Sequence, residues 1–325
     1  MARGGGRAEG QALLGQVFAK QGLHGEALER FREARREAGD SVPRAAVIGE
    51  AWSLIRLGRA PEARPIAEQL LASEPEDIDL LMLTATARSE AADPAAALSA
   101  LETARRVAPV RADVQQKIGD IARSLGDHEG AIAAYRHALE LDQDFAVVRF
   151  QLARLLAAKG AVKEAEQELV LALDAVPTYG EATLELASLR RQIGRAGDAL
   201  PLLIELLHRD PYHFDALIAL GETLLALGRK RDAAMAFARV LRFDPSHVGA
   251  LYHEGASLVE QKRYREAIER WQKVIALSPA SDYAKRARRE MRTASDLQRI
   301  FGDRTSLVGH GTGRTSGGTP LPRAG

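Results

Sequence analysis

The chain has 325 residues, with 45 Lys and Arg against 44 Asp and Glu, a formal net charge of +1 and no cysteine. The lack of cysteine excludes disulfides, thiolate metal sites and cysteine nucleophiles. Charge is nearly balanced, and the one local excess is nine Lys and Arg against four Asp and Glu in residues 282–325, so nucleic acid is not expected as a partner of the whole chain.

The chain begins with residues 1–7, which are rich in Gly and Arg and offer nothing to pack. We predict that this segment is disordered. No apolar stretch of the length that export requires follows it, and no run approaches the roughly 18 apolar residues of a membrane span. We therefore expect a cytoplasmic protein without a transmembrane segment.

Landmark residues recur with a period of 34 residues. Proline recurs at Pro75, Pro109, Pro177, Pro211, Pro245 and Pro279, with Gln143 in the remaining place, and alanine recurs at Ala63, Ala97, Ala131, Ala165, Ala199, Ala233 and Ala267. Such a period indicates an array of similar supersecondary units. Apolar residues within each unit follow helical spacing, so we predict an all-α chain.

The period divides residues 8–281 into about eight helix-turn-helix repeats, and we see no linker within residues 8–301. The predicted repeats are 8–43, 44–77, 78–111, 112–145, 146–179, 180–213, 214–247 and 248–281. The turn inside a repeat contains Gly, except where Ala92 and Lys262 replace it. Pro follows the second helix because it cannot continue that helix, and a nearby Asp or Ser, as in residues 244–247 and 278–281, offers a cap for the next one.

Two positions in every repeat hold a small residue. The twentieth residue is always Ala, and the eighth is Gly15, Ala51, Ala85, Gly119, Ala153, Ala187, Gly221 or Gly255. Side chains of this size allow two helices to approach closely, and a bulky residue there would overpack at a cost of about 1–3 kcal/mol.

This spacing resembles the tetratricopeptide repeat. The resemblance rests on Leu220, Gly221, Leu224, Gly228, Ala233, Phe237 and Pro245 and on the matching residues of the other units, and it covers residues 8–281. The Trp that the family places fourth in the repeat is replaced, for example by Leu217. The resemblance implies a right-handed superhelical solenoid whose concave groove, lined by the first helices, binds peptides or proteins.

The resemblance also implies which residues line that groove. The second, fifth, ninth, twelfth and thirteenth residues of each repeat face inward in the family. We expect a peptide-binding groove that includes Ile48, Trp52, Met82, Gln116, Arg123, Phe150, Arg154, Leu184, Arg191, Ile218 and Tyr252. The smaller apolar members have an alternative role, which is to pack between neighbouring first helices. Trp52, Phe150 and Tyr252 are large enough to do both.

Charged residues interrupt this apolar stripe. Acidic residues at these positions are Asp79, Glu90, Asp113, Asp120, Glu181, Asp215 and Glu222, which predicts a somewhat acidic groove with a central row of arginines. Some family members grip a terminal carboxylate with Lys and Asn at the fifth and ninth positions. Here those positions hold pairs such as Phe150 with Arg154, so this clamp is not supported.

Residues 282–301 are predicted to form one more amphipathic helix that caps the last repeat. Its apolar stripe is Tyr283, Ala287, Met291, Ala294, Leu297 and Phe301, and its basic face includes Arg286, Arg288, Arg289 and Arg292. Residues 302–325 are rich in Gly, Ser, Thr and Pro, which predicts a disordered tail.

Nothing in the sequence indicates a catalytic, cofactor or metal site. The eight histidines are scattered, and neither an HExxH motif nor a nucleophile with its base is present. We therefore expect no cofactor and no small-molecule substrate. The leading hypothesis is a non-enzymatic adaptor that holds a protein or peptide partner in its groove to assemble a complex. The alternative is an accessory or regulatory subunit of an enzyme or a cell-envelope machine, acting through the basic C-terminal helix and tail.

Overall fold

The computed structural model describes residues 3–38 and 42–302, so most of the predicted tail lies outside the described residues. Within them the chain forms 17 helices and no strand, which confirms the all-α prediction. None of the described helices has the length and apolar content needed to cross a bilayer. The helices are α1 (Arg3–Lys20), α2 (His24–Ala38), α3 (Arg44–Arg56), α4 (Ala60–Ser73), α5 (Ile78–Glu90), α6 (Pro94–Val107), α7 (Ala112–Ser124), α8 (His128–Leu141), α9 (Ala146–Ala158), α10 (Val162–Ala175), α11 (Gly180–Gln192), α12 (Ala196–Arg209), α13 (Phe214–Ala226), α14 (Lys230–Phe243), α15 (Val248–Glu260), α16 (Tyr264–Leu277) and α17 (Asp282–Phe301).

The helices alternate as first and second helices of eight pairs, followed by α17. From α3 to α16 every first helix has 13 residues and every second helix has 14. The turn between them needs one residue with left-handed backbone. Glycine fills it six times, with φ between 72° and 82°, while Ala92 (φ 63°) and Lys262 (φ 60°) adopt it at a cost that glycine avoids.

The amino-terminal helix begins earlier than predicted. α1 starts at Arg3, so residues 3–7 are helical and the prediction of disorder is wrong for them. Ala8 is fully buried, and Arg7 Nε lies 3.1 Å from Glu37 Oε1 of α2. Once such packing has nucleated a helix, each residue added to its end gains one hydrogen bond. Amino-acid composition alone does not predict this extension.

The chain forms two compact units, Met1–Ala182 and Thr183–Gly325. In each, the core lies between the two helices of a pair and the first helix of the next pair. One cluster in the first unit joins Ala51 and Leu54 of α3, Ala63 and Ala67 of α4, and Leu80 and Leu83 of α5. The invariant twentieth alanine, such as Ala63, is 0% exposed in all eight repeats, as expected for a position where helices touch.

The eighth and twenty-fourth residues of a repeat are matched in size. A Cβ added to Gly221 would lie 2.4 Å from the ring of Phe237, and one added to Gly119 would lie 2.5 Å from the ring of Tyr135. Glycine at the eighth position always accompanies an aromatic residue at the twenty-fourth, whereas alanine accompanies Ala or Leu. The pairs are Gly15/Phe31, Ala51/Ala67, Ala85/Leu101, Gly119/Tyr135, Ala153/Leu169, Ala187/Leu203, Gly221/Phe237 and Gly255/Trp271.

The last helix, α17, occupies the place of a further first helix and covers α15 and α16. Ala284, Ala287 and Ala294 are buried in one cluster with Trp271. Its eighth residue is Arg289, which is exposed, so a second helix could not pack on α17 as it does in the repeats. Phe301 was predicted to lie on the buried stripe, but it is 69% exposed because α17 continues beyond the last repeat.

The helix caps differ partly from the prediction. Ser281 caps α17, with its Oγ accepting from the Ala284 amide at 3.1 Å. At residues 244–247, however, the cap is His247, whose Nδ1 accepts from the Ala250 amide at 3.2 Å. Asp244 instead accepts from the Ser246 amide within the preceding turn, at 2.9 Å, and so is not available to α15.

Candidate peptide-binding surfaces

Four successive first helices of the second unit bring a set of polar and aromatic side chains together. Arg191 Nη2 of α11 lies 2.9 Å from Glu222 Oε2 of α13, and His253 Nε2 of α15 lies 3.2 Å from Glu222 Oε1. The His253 and Tyr283 rings, from α15 and α17, are 6.0 Å apart. With Tyr252 and Arg286 these residues form what we call the tyrosine–arginine cluster.

The repeat frame explains this arrangement. Arg191 is the twelfth residue of its repeat, Glu222 the ninth of the next repeat and His253 the sixth of the one after. The contacts run through these three residues and end at Tyr283, the second residue of α17. Tyr283 also lies 5.4 Å from the Tyr252 ring. The cluster therefore runs diagonally across the first-helix face, joining residues that are far apart in sequence.

The carboxylate of Glu222 is the electrostatic centre of the cluster. Burial favours a raised pKa for Glu222, but the hydrogen bond from His253 and the charges of Arg191 and Arg286 outweigh it and hold this pKa below its ordinary value. Burial, together with the negative charge of Glu222, raises the pKa of the Tyr283 phenol to about 12. Near neutral pH the cluster thus presents an anionic Glu222 between two arginines, beside neutral tyrosines.

His253 is held in place from below. Its ring stacks on Phe237 at 4.4 Å with an interplanar angle of 4°, and Phe237 in turn packs against Gly221. The His253 side chain is only 9% exposed. It contacts Glu222 through Nε2, and within residues 3–38 and 42–302 no group of His, Asp and Glu has the arrangement of a metal site.

A second aromatic and cationic group lies in the first unit. The Phe150 and Tyr179 rings are 5.3 Å apart, and the Arg154 guanidinium carbon lies 5.7 Å from the Phe150 ring centre. Arg154 is exposed and Phe150 half-buried. We call these three residues the phenylalanine–arginine cluster. The predicted pair Phe150 and Arg154 is thus brought together, and Tyr179, the last residue of its repeat, was missed.

The other predicted groove residues behave unequally. Ile218 is 7% exposed and belongs to the core of the second unit, so its assignment to a binding groove is wrong: its side chain packs between helices. Leu184, Ile48 and Met82 are half-buried and pack against core clusters. Trp52 remains 37% exposed.

The polar groove predictions have partners of their own. Gln116 is half-buried and Arg123 is exposed. Asp120 accepts a hydrogen bond from the Tyr135 hydroxyl at 2.7 Å, and Arg123 interacts with the same tyrosine. Asp113 lies 2.6 Å from Arg111, and the same guanidinium reaches Asp79 at 3.3 Å. Arg111 was not among the predicted site residues, and it offsets the acidic character expected for the groove.

The predicted basic face of α17 is divided. Arg286 contributes to the electrostatic surroundings of Tyr252, Tyr283 and Glu222, and Arg289 lies 3.4 Å from Glu290. Arg288 donates to the Pro279 carbonyl at 2.9 Å. Arg292 is exposed and forms no ion pair in the part of the chain that the structure describes. These arginines do not act as one surface.

Comparison with known proteins matches three segments of the chain to repeat families. Residues 119–160 match a TPR repeat model, and residues 184–248 and 249–281 match two tetratricopeptide repeat models. A curated relative, DnaJ homolog subfamily C member 3 from Gallus gallus, is 28% identical over 143 residues, which are 40% of this chain and 28% of that protein. The chain thus spans little more than a quarter of that relative.

Solved structures agree in fold. The C-terminal part of a TPR repeat-containing protein from Cytophaga hutchinsonii is 16% identical, with a TM-score of 0.57 over 74% of this chain and 98% of that one. A chain of the APC/C hetero-tetramer Cut9–Hcn1 is 16% identical, with a TM-score of 0.56 over 83% of this chain and 52% of that one. These likenesses show the fold, and the three matched segments identify tetratricopeptide repeats within residues 119–160 and 184–281.

Proposed function

We propose that this chain is a non-enzymatic adaptor that binds a peptide segment of a partner protein on the first-helix face of its second unit, at the tyrosine–arginine cluster. Tetratricopeptide repeats are protein-interaction scaffolds in general, and the proposal concerns the site and the ligand. We further propose that it acts in the cytoplasm, since a cysteine-free sequence suits a reducing compartment.

The observation that carries the proposal is that an arginine without an ion pair or hydrogen bond in the described residues lies beside two half-buried tyrosines. Arg286 is exposed and forms no ion pair or hydrogen bond within residues 3–38 and 42–302, and it lies close to Tyr252 and Tyr283. Aromatic rings with a polar tip and arginines are the side chains that contribute most to binding energy at interfaces. Glu222 forms its ion pair with Arg191 and interacts with Arg286 only through its charge, so the N–H groups of Arg286 are available to a ligand.

This arrangement favours a ligand with a carboxylate beside an apolar side chain. The carboxylate would pair with Arg286, and the apolar group would lie on the Tyr252 and Tyr283 rings. The fixed position of Glu222 also disfavours an acidic group deeper in the cluster, because like charges repel. The phenylalanine–arginine cluster offers similar chemistry within the first unit and is a separate candidate site for the same kind of ligand.

The test is a selection of peptides from a displayed random library on the full chain, followed by affinity measurements on the selected peptides. We expect Arg286→Glu to weaken binding at least about tenfold, and Tyr252→Ala and Phe150→Ala to weaken it by a similar factor where each cluster is used. Arg292→Glu is the matched control, because Arg292 is an exposed arginine of the same helix outside the cluster. All variants are first checked for unchanged helicity and melting temperature.

The same experiment separates the alternative function. If the basic surface of α17 binds the partner, reversing Arg288 and Arg292 will weaken binding more than reversing Arg286 does. If neither Arg286→Glu, Tyr252→Ala nor Phe150→Ala changes the affinity of any selected peptide, the first-helix face is not the binding surface.

A further inference from the structure

A separate group of exposed apolar side chains lies on the second-helix side of the second unit. Tyr212, in the turn between α12 and α13, is 60% exposed, and Met235 and Phe243 of α14 are 66% and 50% exposed. The Tyr212 and Phe243 rings meet edge to face with their centres 5.1 Å apart. With Ala238, Arg239 and Arg242 these residues line an open groove of about 390 Å³, which we call the α14 groove.

The fold does not require these side chains. The places of Tyr212, Met235 and Phe243 in the repeat are solvent-facing, and the next repeat holds Ser246, Glu269 and Leu277 there, while the preceding one holds Thr178, Pro201 and Arg209. The preceding repeat has no large apolar residue at these places and forms the same helix pair. An exposed aromatic pair beside a methionine therefore lowers solubility and does not stabilise the fold, which is typical of a binding surface.

The charge of the α14 groove has one sign. Arg239 and Arg242 are exposed and form no ion pair within the described part of the chain, and no acidic residue lines the groove. The aspartates of the two adjacent turns accept hydrogen bonds from the backbone, Asp210 from the Tyr212 amide at 3.1 Å and Asp244 from the Ser246 amide at 2.9 Å. Two arginines one helical turn apart, next to a hydrophobic surface, complement carboxylates next to an apolar side chain.

We propose that the α14 groove is a second docking site, which takes a short acidic segment of another protein. An apolar side chain of that segment seats between Tyr212, Met235 and Phe243, and its carboxylates pair with Arg239 and Arg242. Tyr, Met and Arg are the residue types enriched at protein interfaces. The site is independent of the tyrosine–arginine cluster, so the chain would hold two partners at once.

The probes are two displayed libraries of short peptides, one built from Asp, Glu and apolar residues, and one with Lys and Arg in place of the acids. Both are selected on the full chain, and the recovered peptides are measured by fluorescence anisotropy. We expect peptides from the acidic library whose affinity falls at least about tenfold in Phe243→Ala and in Arg239→Glu. Their affinity should also decrease as salt rises.

Matched controls come from the next repeat, where Leu277 and Lys273 stand at the places of Phe243 and Arg239 and are also exposed. Leu277→Ala and Lys273→Glu should change the affinity less than about twofold, since a residue outside the contact contributes little. Arg239→Glu changes only a surface side chain, so it keeps the test valid if Phe243→Ala lowers stability.

Three results would overturn the proposal. In the first, no peptide from the acidic library is sensitive to both groove variants. In the second, the basic library gives the sensitive peptides. In the third, sedimentation shows that the chain self-associates and that Phe243→Ala abolishes the association, which would make a second copy of the chain the occupant.

Discussion

Replacing Gly221 with Ala tests the packing that holds His253 and the tyrosine–arginine cluster. The new Cβ would lie 2.4 Å from Phe237 Cε1 and 2.5 Å from Cζ, well inside contact distance. Phe237 is 3% exposed, and its ring stacks on His253 at 4.4 Å, so it cannot move away without displacing His253.

The magnitude follows from two opposing effects. Overpacking costs about 1–3 kcal/mol, and the short contact places this change near the upper end. Alanine gains about 1 kcal/mol over glycine in a helix interior. We therefore expect Gly221→Ala to lower the free energy of unfolding of the second unit by about 2 kcal/mol.

The assay is urea denaturation followed by far-UV circular dichroism, with Gly197→Ala in α12 as the matched control. A Cβ at Gly197 meets no atom within 4 Å, so this variant should be as stable as the parent or more stable by about 0.5 kcal/mol. Adding Phe237→Leu to Gly221→Ala should recover part of the loss, because Ala187 with Leu203 is the pairing of the preceding repeat. A Gly221→Ala variant at least as stable as the parent would refute the reasoning.

Three further results are expected. Lys262→Gly should raise the free energy of unfolding by about 0.5–1 kcal/mol, because Lys262 has a φ of 60° and glycine relieves that strain. An unchanged or lower denaturation midpoint would contradict this. Glu222 has a lowered pKa, so its contribution to stability is present above the ordinary pKa of a glutamate and is lost as pH falls below about 4. The stability difference between the parent and Glu222→Gln should shrink in that range. A difference that stays constant would show that Glu222 does not stabilise the fold through its charge. The pKa of Tyr283 is raised to about 12, so its contribution to stability is complete below pH 10 and is lost as pH rises from about 10 to about 12. Tyr283→Phe should make the free energy of unfolding decrease less steeply over that range. Equal slopes in the parent and the variant would show that folding does not change the ionisation of Tyr283.

Much of the fold could be predicted because the 34-residue period fixes the place of every residue within a repeat. A proline that cannot continue a helix and a glycine that supplies left-handed backbone mark boundaries directly, so the first helices from α3 to α15 begin at the first residue of a 34-residue period, whereas α1 begins earlier. The pairing of eighth and twenty-fourth residues was also visible in the sequence, as Gly221 with Phe237 shows. A search for small residues at single positions does not find it, because it is a relation between two positions.

The site was less predictable, because the repeat position alone does not show which side chains of neighbouring repeats meet. Ile218 and Tyr252 share the fifth position, yet Ile218 is buried and Tyr252 is half-buried beside α17. The period cannot show that difference, because it depends on what the following helix places against each residue. In the sequence, Glu222 is one of several acidic residues at groove positions, and His253 is one of eight scattered histidines. Their contact spans 31 residues and three helices.

The size matching of the eighth and twenty-fourth residues also limits how such a chain can change over time. A repeat with Gly and an aromatic residue and a repeat with Ala and Leu fill the same space. A single substitution from one pair toward the other either makes a side chain clash with its neighbour or leaves a cavity. The two sites are therefore expected to be replaced together or through a less stable intermediate. The natural unit of duplication or exchange in this array is then the intact helix pair, since a first helix such as α13 carries the space for its own second helix.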